Sequence, residues 1–497
     1  MMKTNSLDFD AQALREKILD LAMRGKLVTQ DPNNEPASIL LEKIKAEKAE
    51  LVKEGKIKKS KALPEITDEE KPFDIPDSWE WVRLGDVLDV RDGTHDTPQY
   101  TSEGVPLVTA KNLHNGKINF ANIKYISEDD AAKINERSHV NQDDVLFAMI
   151  GTIGNPVLVK TKKKFAIKNV ALLKRVTSID MDYVCKYILE AKHLLMKNAS
   201  GGNQKFLSLT KINKLPFPLP PLEEQSRIAA KIAQLFALLR KVESSTQQYA
   251  KLQTLLKSKV LDLAMRGKLV EQDPKDEPAS VLLEKIKAEK EQLIKEKKIK
   301  RSKPLPPISD EEKPFEIPDS WEWVRLGEIT ALVTKGTTPK GGKSAYVNKG
   351  INYYRAENVA FSGLSKESLN YIPLEMHEGL LKRSILKEKD ILITIAGTLG
   401  RVTYVKKEDL PGNTNQAVSI SRPINSDEID EKFLTYTLTS LLQQVVKNNK
   451  TTSIPNLTLR QIEEIIFPFP PLSEQYRIST KLSQLFKFIC KNKSSIS

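Results

Sequence analysis

The sequence predicts an α+β protein: two α/β domains separated by an antiparallel coiled coil, arranged as a pseudo-twofold internal repeat. Three observations carry this. The stretch "DLAMRGKLV" at residues 20–28 returns letter for letter at 262–270. The wider segment 18–87 aligns without a gap on 260–329, and roughly three-quarters of its positions are identical, which marks a duplication. A heptad seam runs through the middle of the chain.

Taken in order, Leu14, Ile18 and Leu21 form an apolar stripe at helical steps. Residues 37–53 and their copy at 279–297 read as a second helix. "KIKKSKALPEI" and "KIKRSKPLPPI" then read as extended, basic linkers. Two dissimilar inserts follow, about 88–214 and 330–464. Within them "DVLFAMIG" and "DILITIAG" are short β-rich apolar runs closed by glycine, so buried strands. Residues 183–195 and 431–446 read as helices.

Pro220 and Pro221 open the longest helix, and Gly267 stops it. Ile228, Ile232, Leu235, Leu239, Val242, Tyr249, Leu256, Val260 and Leu263 keep one heptad register, with Thr246 and Gln253 as polar breaks. A helix over 222–266 is ~65 Å long at 1.5 Å per residue. Ile478, Leu482, Leu485 and Ile489 copy its first half, and Leu14, Ile18 and Leu21 copy its second. The two terminal helices therefore equal a second long helix, cut at the termini and set antiparallel to the central one. The expected divisions are 1–75, 76–220, 221–317, 318–470 and 471–497.

Composition narrows the class. Two cysteines in 497 residues, Cys185 and Cys490, make neither a disulfide framework nor a zinc site, which points to a reducing, cytoplasmic setting. The first residues lack the apolar core of a signal peptide, and no run of ~18 apolar residues is present, so no membrane is expected. The net charge of +13 favours a polyanionic partner, nucleic acid first. Residues 76–220 hold 20 Lys and Arg against 16 Asp and Glu, and residues 318–470 hold 19 against 17, so most of the surplus lies outside the inserts.

A search for catalysis is negative. No amino-methyltransferase signature is present, and no Gly-rich cofactor loop opens a helix. "GTTPKGGKS" misses the phosphate-loop spacing by one residue. The five histidines show no metal-ligand spacing, so no metal or cofactor is expected in this chain. Trp79, Trp81, Trp321 and Trp323 are read as pins between linker and domain.

What remains suits base and phosphate contact. Arg and Lys read guanine edges, Asn and Gln read adenine edges, and Thr touches the thymine methyl. The first insert offers Arg91, Thr94, His95, Lys111, Asn112, His114, Lys162, Lys163, Lys164, Asn203, Gln204 and Lys205. The second offers Lys335, Thr337, Thr338, Lys340, Lys343, Tyr354, Arg355, Asn358, Arg401, Asn415, Gln416, Ser453 and Asn456.

The duplicated "LDLAMRGKLV…EPAS.LLEKIKAEK", the paired "IPDSWEWVRLG", "FPLPPLEEQSRIAAKI" with "FPFPPLSEQYRISTKL", and the pair "GTIGN" and "GTLGR" together give the chain a likeness. It closely resembles the DNA-specificity (S) subunits of type I restriction-modification enzymes, over nearly its whole length. "TNQAV" in the second insert departs from "KNVAL" in the first. The resemblance implies that the inserts are α/β target-recognition domains, each reading one half of a bipartite, asymmetric double-stranded DNA site. The coiled coil would set the gap, with the readers about one helical turn, ~34–36 Å, apart. It would also dock two methyltransferase (M) subunits, which bring S-adenosylmethionine and methylate adenine N6 after base flipping. Restriction (R) subunits using ATP and Mg could join. This chain would be non-catalytic. The alternative is a coiled-coil adaptor holding two non-enzymatic binding domains.

Overall fold

A computed structural model describes residues 10–491, apart from 60, 152, 176–177, 201–204, 426 and 449–455. The chain divides inside its long helix, between Ser245 and Thr246, into two compact units with the same order of elements.

The repeated "DLAMRGKLV" is a helix stop with a docking face. Helix Ala11–Met23 ends as Gly25 takes a left-handed φ of 64°. The Gly25 and Lys26 amides then close on the carbonyls of Ala22 (3.2 Å) and Leu21 (2.8 Å), which absorbs unpaired helix-end carbonyls. Arg24 donates to Asp20 one turn back, and its guanidinium lies 4.8 Å from the centre of the Phe73 ring. A Cβ on Gly25 would stand 2.4 Å from Pro76 Cγ. The second copy repeats this around Gly267, Asp262, Arg266, Phe315 and Pro318.

The Pro-Pro-Leu-x-Glu-Gln start of the long helix is a tie point. Glu224 is 1% exposed and accepts from Trp79 Nε1 (3.0 Å) and Gln30 Nε2 (2.5 Å). Burial pushes its carboxyl up, opposed by these donors. Gln225 accepts from the Asp180 amide (2.9 Å) and donates to the Pro220 carbonyl (2.9 Å), which fixes the insert's helix Met181–Glu190. Glu474 with Trp321 and Gln272, and Gln475 with the Asp430 amide, rebuild the knot in the second unit. Trp79 and Trp321 thus anchor to the long and C-terminal helices, whereas Trp81 and Trp323 stack on Phe73 and Phe315 of the linkers (centroids 5.2 Å in each).

Two further pairs of frame residues repeat their roles in the two units. Lys48 of helix Ala37–Lys53 donates to the carbonyls of Gly85 (2.6 Å) and Leu88 (3.1 Å), and its burial pushes the ammonium pKa down. Lys290 of helix Ala279–Lys295 does the same at Gly327. Arg83, 3% exposed, gathers the linker by donating to the carbonyls of Pro64, Glu65 and Lys214 and to the Glu70 carboxylate. That guanidinium, with the Thr67 amide, holds Glu70 at about 2. Arg325 repeats the arrangement with Pro306, Pro307, Glu464 and Glu312.

The long helix is continuous over Leu222–Met265. In the first unit, helix Ala11–Met23 runs antiparallel to its first half: Arg15 pairs bidentately with Glu243, while Gln30, just past the helix end, reaches Glu224. In the second unit, helix Leu472–Lys491 runs antiparallel to its second half, with Gln253 donating to the Ile489 carbonyl (2.7 Å) and Gln272 reaching Glu474.

The seam itself needs correction. Ile228, Ile232, Val260, Ile478, Leu482 and Ile489 are buried, and Ile18, Leu21, Leu235, Leu239 and Leu485 are half-buried. Leu14, Val242 and Leu256 are exposed, at 43%, 44% and 49%. Leu19, Ala22 and Met23 are buried instead, in one core with Val184, Ile188 and Ile232. Helix Ala11–Met23 therefore rolls towards the domain helix Met181–Glu190, because a third element competes for its apolar face. The predicted helix over 183–195 is broken, into Met181–Glu190 and Lys192–Asn198.

Each insert carries the strand run predicted for it, Val145–Ala148 in the first and Ile391–Thr394 in the second, inside a four-stranded antiparallel sheet. In the first domain the strand order is Asp89–Asp92, Val170–Lys174, Val145–Ala148, Gly154–Leu158. In the second it is Thr330–Lys335, Val418–Pro423, Ile391–Thr394, Val402–Tyr404. A smaller sheet abuts each, in which Ala166–Ile167 runs parallel to Val105–Val108, and Gly412–Thr414 parallel to Ile351–Tyr354. A ladder of Glu80–Arg83 on Pro216–Leu219, or of Glu322–Arg325 on Ile466–Phe469, closes the domain onto the frame.

Candidate nucleic-acid interface

Strand register decides which loops meet. In the first domain Asp92 pairs with Ala171, Val170 with Ala148, and Ala148 with Gly154. The loops that follow Asp92, precede Val170 and follow Ala148 therefore leave the same end of the sheet. The loop after Val108 joins them, because Val108 accepts from the Lys168 amide (2.9 Å). So does the segment before Leu207, through Gly151 N to Lys205 O (2.9 Å). In the second domain Lys335 pairs with Ser419 and Thr394 with Val418, and Tyr354 accepts from the Asn415 amide (3.2 Å). Leu457 N donates to Ile395 O (3.0 Å) and brings in the segment at Asn456. Among the described residues, each domain gathers five segments from distant sequence at one sheet end.

A tight crossing holds each cluster. A Cβ on Gly93 would lie 2.3 Å from the Ile167 carbonyl oxygen, and one on Gly336 2.1 Å from that of Thr414, so glycine is required at both. In the first domain His95 is exposed. Its Nδ1 faces Asn169 Oδ1 at 2.8 Å and its Nε2 faces Asp92 Oδ2 at 2.9 Å. Arg137 braces the buried Asp92 from the other side, and Lys168 reaches Thr97. Asn169 sits at φ 53°, a conformation that asparagine tolerates better than most residues.

The structure brings Thr94, His95, Lys111, Asn112 and Lys205 to this end, with His114 in the hairpin that follows. Asn112 is corrected as a free base reader: its Oδ1 caps the Thr109 amide (2.9 Å) and its Nδ2 donates to Asn119 O (3.1 Å). Arg91 is half-buried and spent on Asp89 and the Arg137 carbonyl. Lys162, Lys163 and Lys164 precede strand Ala166–Ile167 instead of following it, so they stand away from the cluster; Lys163 lies over Phe120 at 4.8 Å.

In the second domain Lys335, Thr338, Lys340, Gln416 and Asn456 are exposed at the loop end, and Thr337, Arg355, Arg401 and Asn415 are half-buried there. Two assignments are corrected. Tyr354 is fully buried and its hydroxyl donates to Asp409 O (3.0 Å). Asn358 is 1% exposed, its amide accepting from Arg355 N and donating to Ser365 and Glu367 carbonyls. Both are consumed by holding the loop, Asn358 in the way that short polar side chains beside strand ends often are. Asn203, Gln204, Ser453 and the Lys343 side chain lie outside the described residues.

Sequence reasoning passed over Lys168, Asn169 and Arg137. The signal available was "KN" between two apolar strands, a pair with no packing role. Among the described residues no three His, Cys, Asp or Glu side chains could hold a metal, and no helix is long and apolar enough to cross a membrane.

Two domains of one topology, each presenting polar loops from one sheet end on a shared helical frame, define a class of two-headed binding protein. Comparison with known proteins narrows it. Residues 76–253 and 318–496 match the model of the type I restriction modification DNA specificity domain. The Escherichia coli type I restriction enzyme EcoAI specificity subunit is 34% identical, over 96% of this chain and 89% of its own. The Escherichia coli EcoEI specificity subunit is 31% identical, over 98% and 91%. A solved chain from work on complex assembly and conformational transition of the type I R-M system is similar in fold, with a TM-score of 0.54 and 20% identity over 85% of this chain and 93% of that one. The chain belongs to the family of type I restriction-modification DNA specificity subunits. The adaptor alternative is not favoured by these relatives.

Proposed function

We propose that each domain reads one half of a bipartite duplex DNA site through its sheet-end loops, while the helical frame sets the gap between the halves. The observation that carries this is the pairing of one scaffold with two different loop chemistries. His95, Lys168 and Asn169 crown the first sheet; Thr338, Asn415 and Gln416 crown the second. Equal scaffolds bearing unequal readers suit an asymmetric two-part sequence. The frame docks two methyltransferase subunits, for which the exposed Leu238, Val242, Leu252, Leu255 and Leu256 of the long helix offer an apolar contact. Restriction subunits complete the assembly. S-adenosylmethionine, and ATP with Mg, belong to those partners, and this chain supplies recognition without catalysis.

The test is to express the chain with its methyltransferase partner and map N6-methyladenine in host DNA. One bipartite motif with a fixed gap is the expected result. A folded, assembled complex that leaves no motif would refute the reading.

A further inference from the structure

The two domains differ in a crossing loop whose ends are pinned alike. Gly93 and Thr94 donate to Val170 and Ile167, and Gly336 and Thr337 donate to Val418 and Thr414, with distances of 3.0 Å throughout. The ends of the crossing loop are therefore fixed equivalently. Two residues, Lys168 and Asn169, bridge the first pair, and three, Asn415, Gln416 and Ala417, bridge the second. With both ends held, the added residue has only outward space to occupy.

Asn415 folds that loop on itself. Its Oδ1 accepts from Ala417 N (3.2 Å) and its carbonyl accepts from Val418 N (3.1 Å), a compact turn that places Gln416 at the tip. The first domain has no such free tip, because Lys168 is tied to Thr97 and Asn169 faces His95. Gln416 is exposed, and its side-chain amide has no hydrogen-bond partner among the described residues.

We propose that Gln416 is a specificity-determining residue of the second domain, which reads an adenine in the major groove of duplex DNA. This rests on the functional reading above and names one contact within it. A carboxamide carries a donor and an acceptor in one plane, the complement of adenine N7 and N6. The neighbours are less suited. Asn358 and Tyr354 are buried, Arg355 is paired with Glu357, and the Asn415 oxygen is used in its own turn. Lys335 and Lys340 are point charges, fit for phosphates, which position the protein without reading sequence. An exposed glutamine in a turn is ordinarily a solvated residue. What distinguishes Gln416 is its place on the one extra residue of the crossing loop, at the sheet end where the described segments converge.

The experiment compares wild type, Gln416→Ala and Gln416→Arg, each assembled with the methyltransferase, by genome-wide N6-methyladenine mapping. Gln416→Ala should make one base pair of one half-site degenerate, with a loss of discrimination of roughly ten- to a hundredfold there, and leave the other half-site and the gap intact. Gln416→Arg should move preference at that same pair towards guanine. An unchanged motif, whether methylated at full or reduced rate, would overturn the assignment, since a phosphate or solvent-facing residue gives that result. Altered preference in both half-sites would overturn it too. Absence of any bipartite motif from the wild-type complex would be a different failure, that of the functional reading itself.

Discussion

Replacing Gly25 with alanine tests the meaning of the repeated helix stop. The residue adopts φ 64°, where an L side chain costs about 1–2 kcal/mol. The new Cβ would also meet Pro76 Cγ at 2.4 Å and Cδ at 2.8 Å, closer than any relaxed contact. Proline is stiff and cannot swing aside as a lysine tip would, so overpacking adds about 1–3 kcal/mol. The sum is about 2–5 kcal/mol. Gly55 provides the control within the same unit: its φ is 70°, yet nothing lies within 4 Å of its would-be Cβ. Gly55→Ala should therefore cost only the conformational part, about 1–2 kcal/mol. Urea denaturation of the full chain, combined with hydrogen–deuterium exchange on peptides covering Ala11–Met23, separates unfolding of this unit from the other. Gly267→Ala should match Gly25→Ala, because Pro318 stands at the same 2.4 Å. Equal losses for Gly25→Ala and Gly55→Ala would show that docking on Pro76 does not hold the helix end.

Other predictions follow from single contacts. Trp79→Phe keeps an aromatic ring but shrinks the buried indole and removes the donor from Glu224, a 1% exposed carboxylate, and should cost at least about 1–3 kcal/mol in urea melts; no loss would mean that Gln30 alone satisfies it. Glu190 is pushed up to about 7 by burial and then by the nearby Asp20 and Glu16. The folded state thus holds this proton more tightly than the unfolded state. Its stabilisation is full below the ordinary glutamate range and is lost as pH rises through about 7. Glu190→Gln should raise the urea midpoint at pH 8 relative to wild type and change it little at pH 4.5, and a uniform offset would contradict this. Glu70, held at about 2 by Arg83, runs the opposite way: its contribution is present above the ordinary glutamate range and disappears only as pH falls towards 2. Arg83→Lys should weaken that dependence, the Thr67 amide keeping part of it, and loosen the linker at 64–70, measured as faster hydrogen exchange there. Native alkylation with iodoacetamide should label exposed Cys490 and spare Cys185, which is buried and pushed up to about 11; labelling of both would indicate that the first domain opens readily.

The frame was legible because its signals are local and duplicated. Pro220 and Pro221 opening a helix, glycine closing one and a heptad stripe are read within a few residues of themselves. The strands Val145–Ala148 and Ile391–Thr394 were legible as apolar runs ended by glycine. The seam was legible only in part. Leu256 lies on the heptad yet is 49% exposed, while Leu19 lies off it and is buried, because the domain helices claim the same faces. Periodicity names an apolar face and is silent on which neighbour takes it.

By itself the sequence determined the internal duplication, the α+β class, the long helix and the kinship with DNA specificity subunits, all of which rest on residue identity and short-range spacing. Only the tertiary structure decided which polar residues can reach a partner. Asn112, Asn358 and Gln416 are equivalent letters in a base-reading inventory, but two are spent on backbone groups and one is free. The reason is that Asn112 and Asn358 each close a tight turn and bond to backbone groups of their own loop, Thr109 and Asn119 in one domain and Arg355, Ser365 and Glu367 in the other, whereas Gln416 stands at a tip. Which tips then face a partner together is set by strand register, which brings loops far apart in the chain to one sheet end, and no local pattern records that.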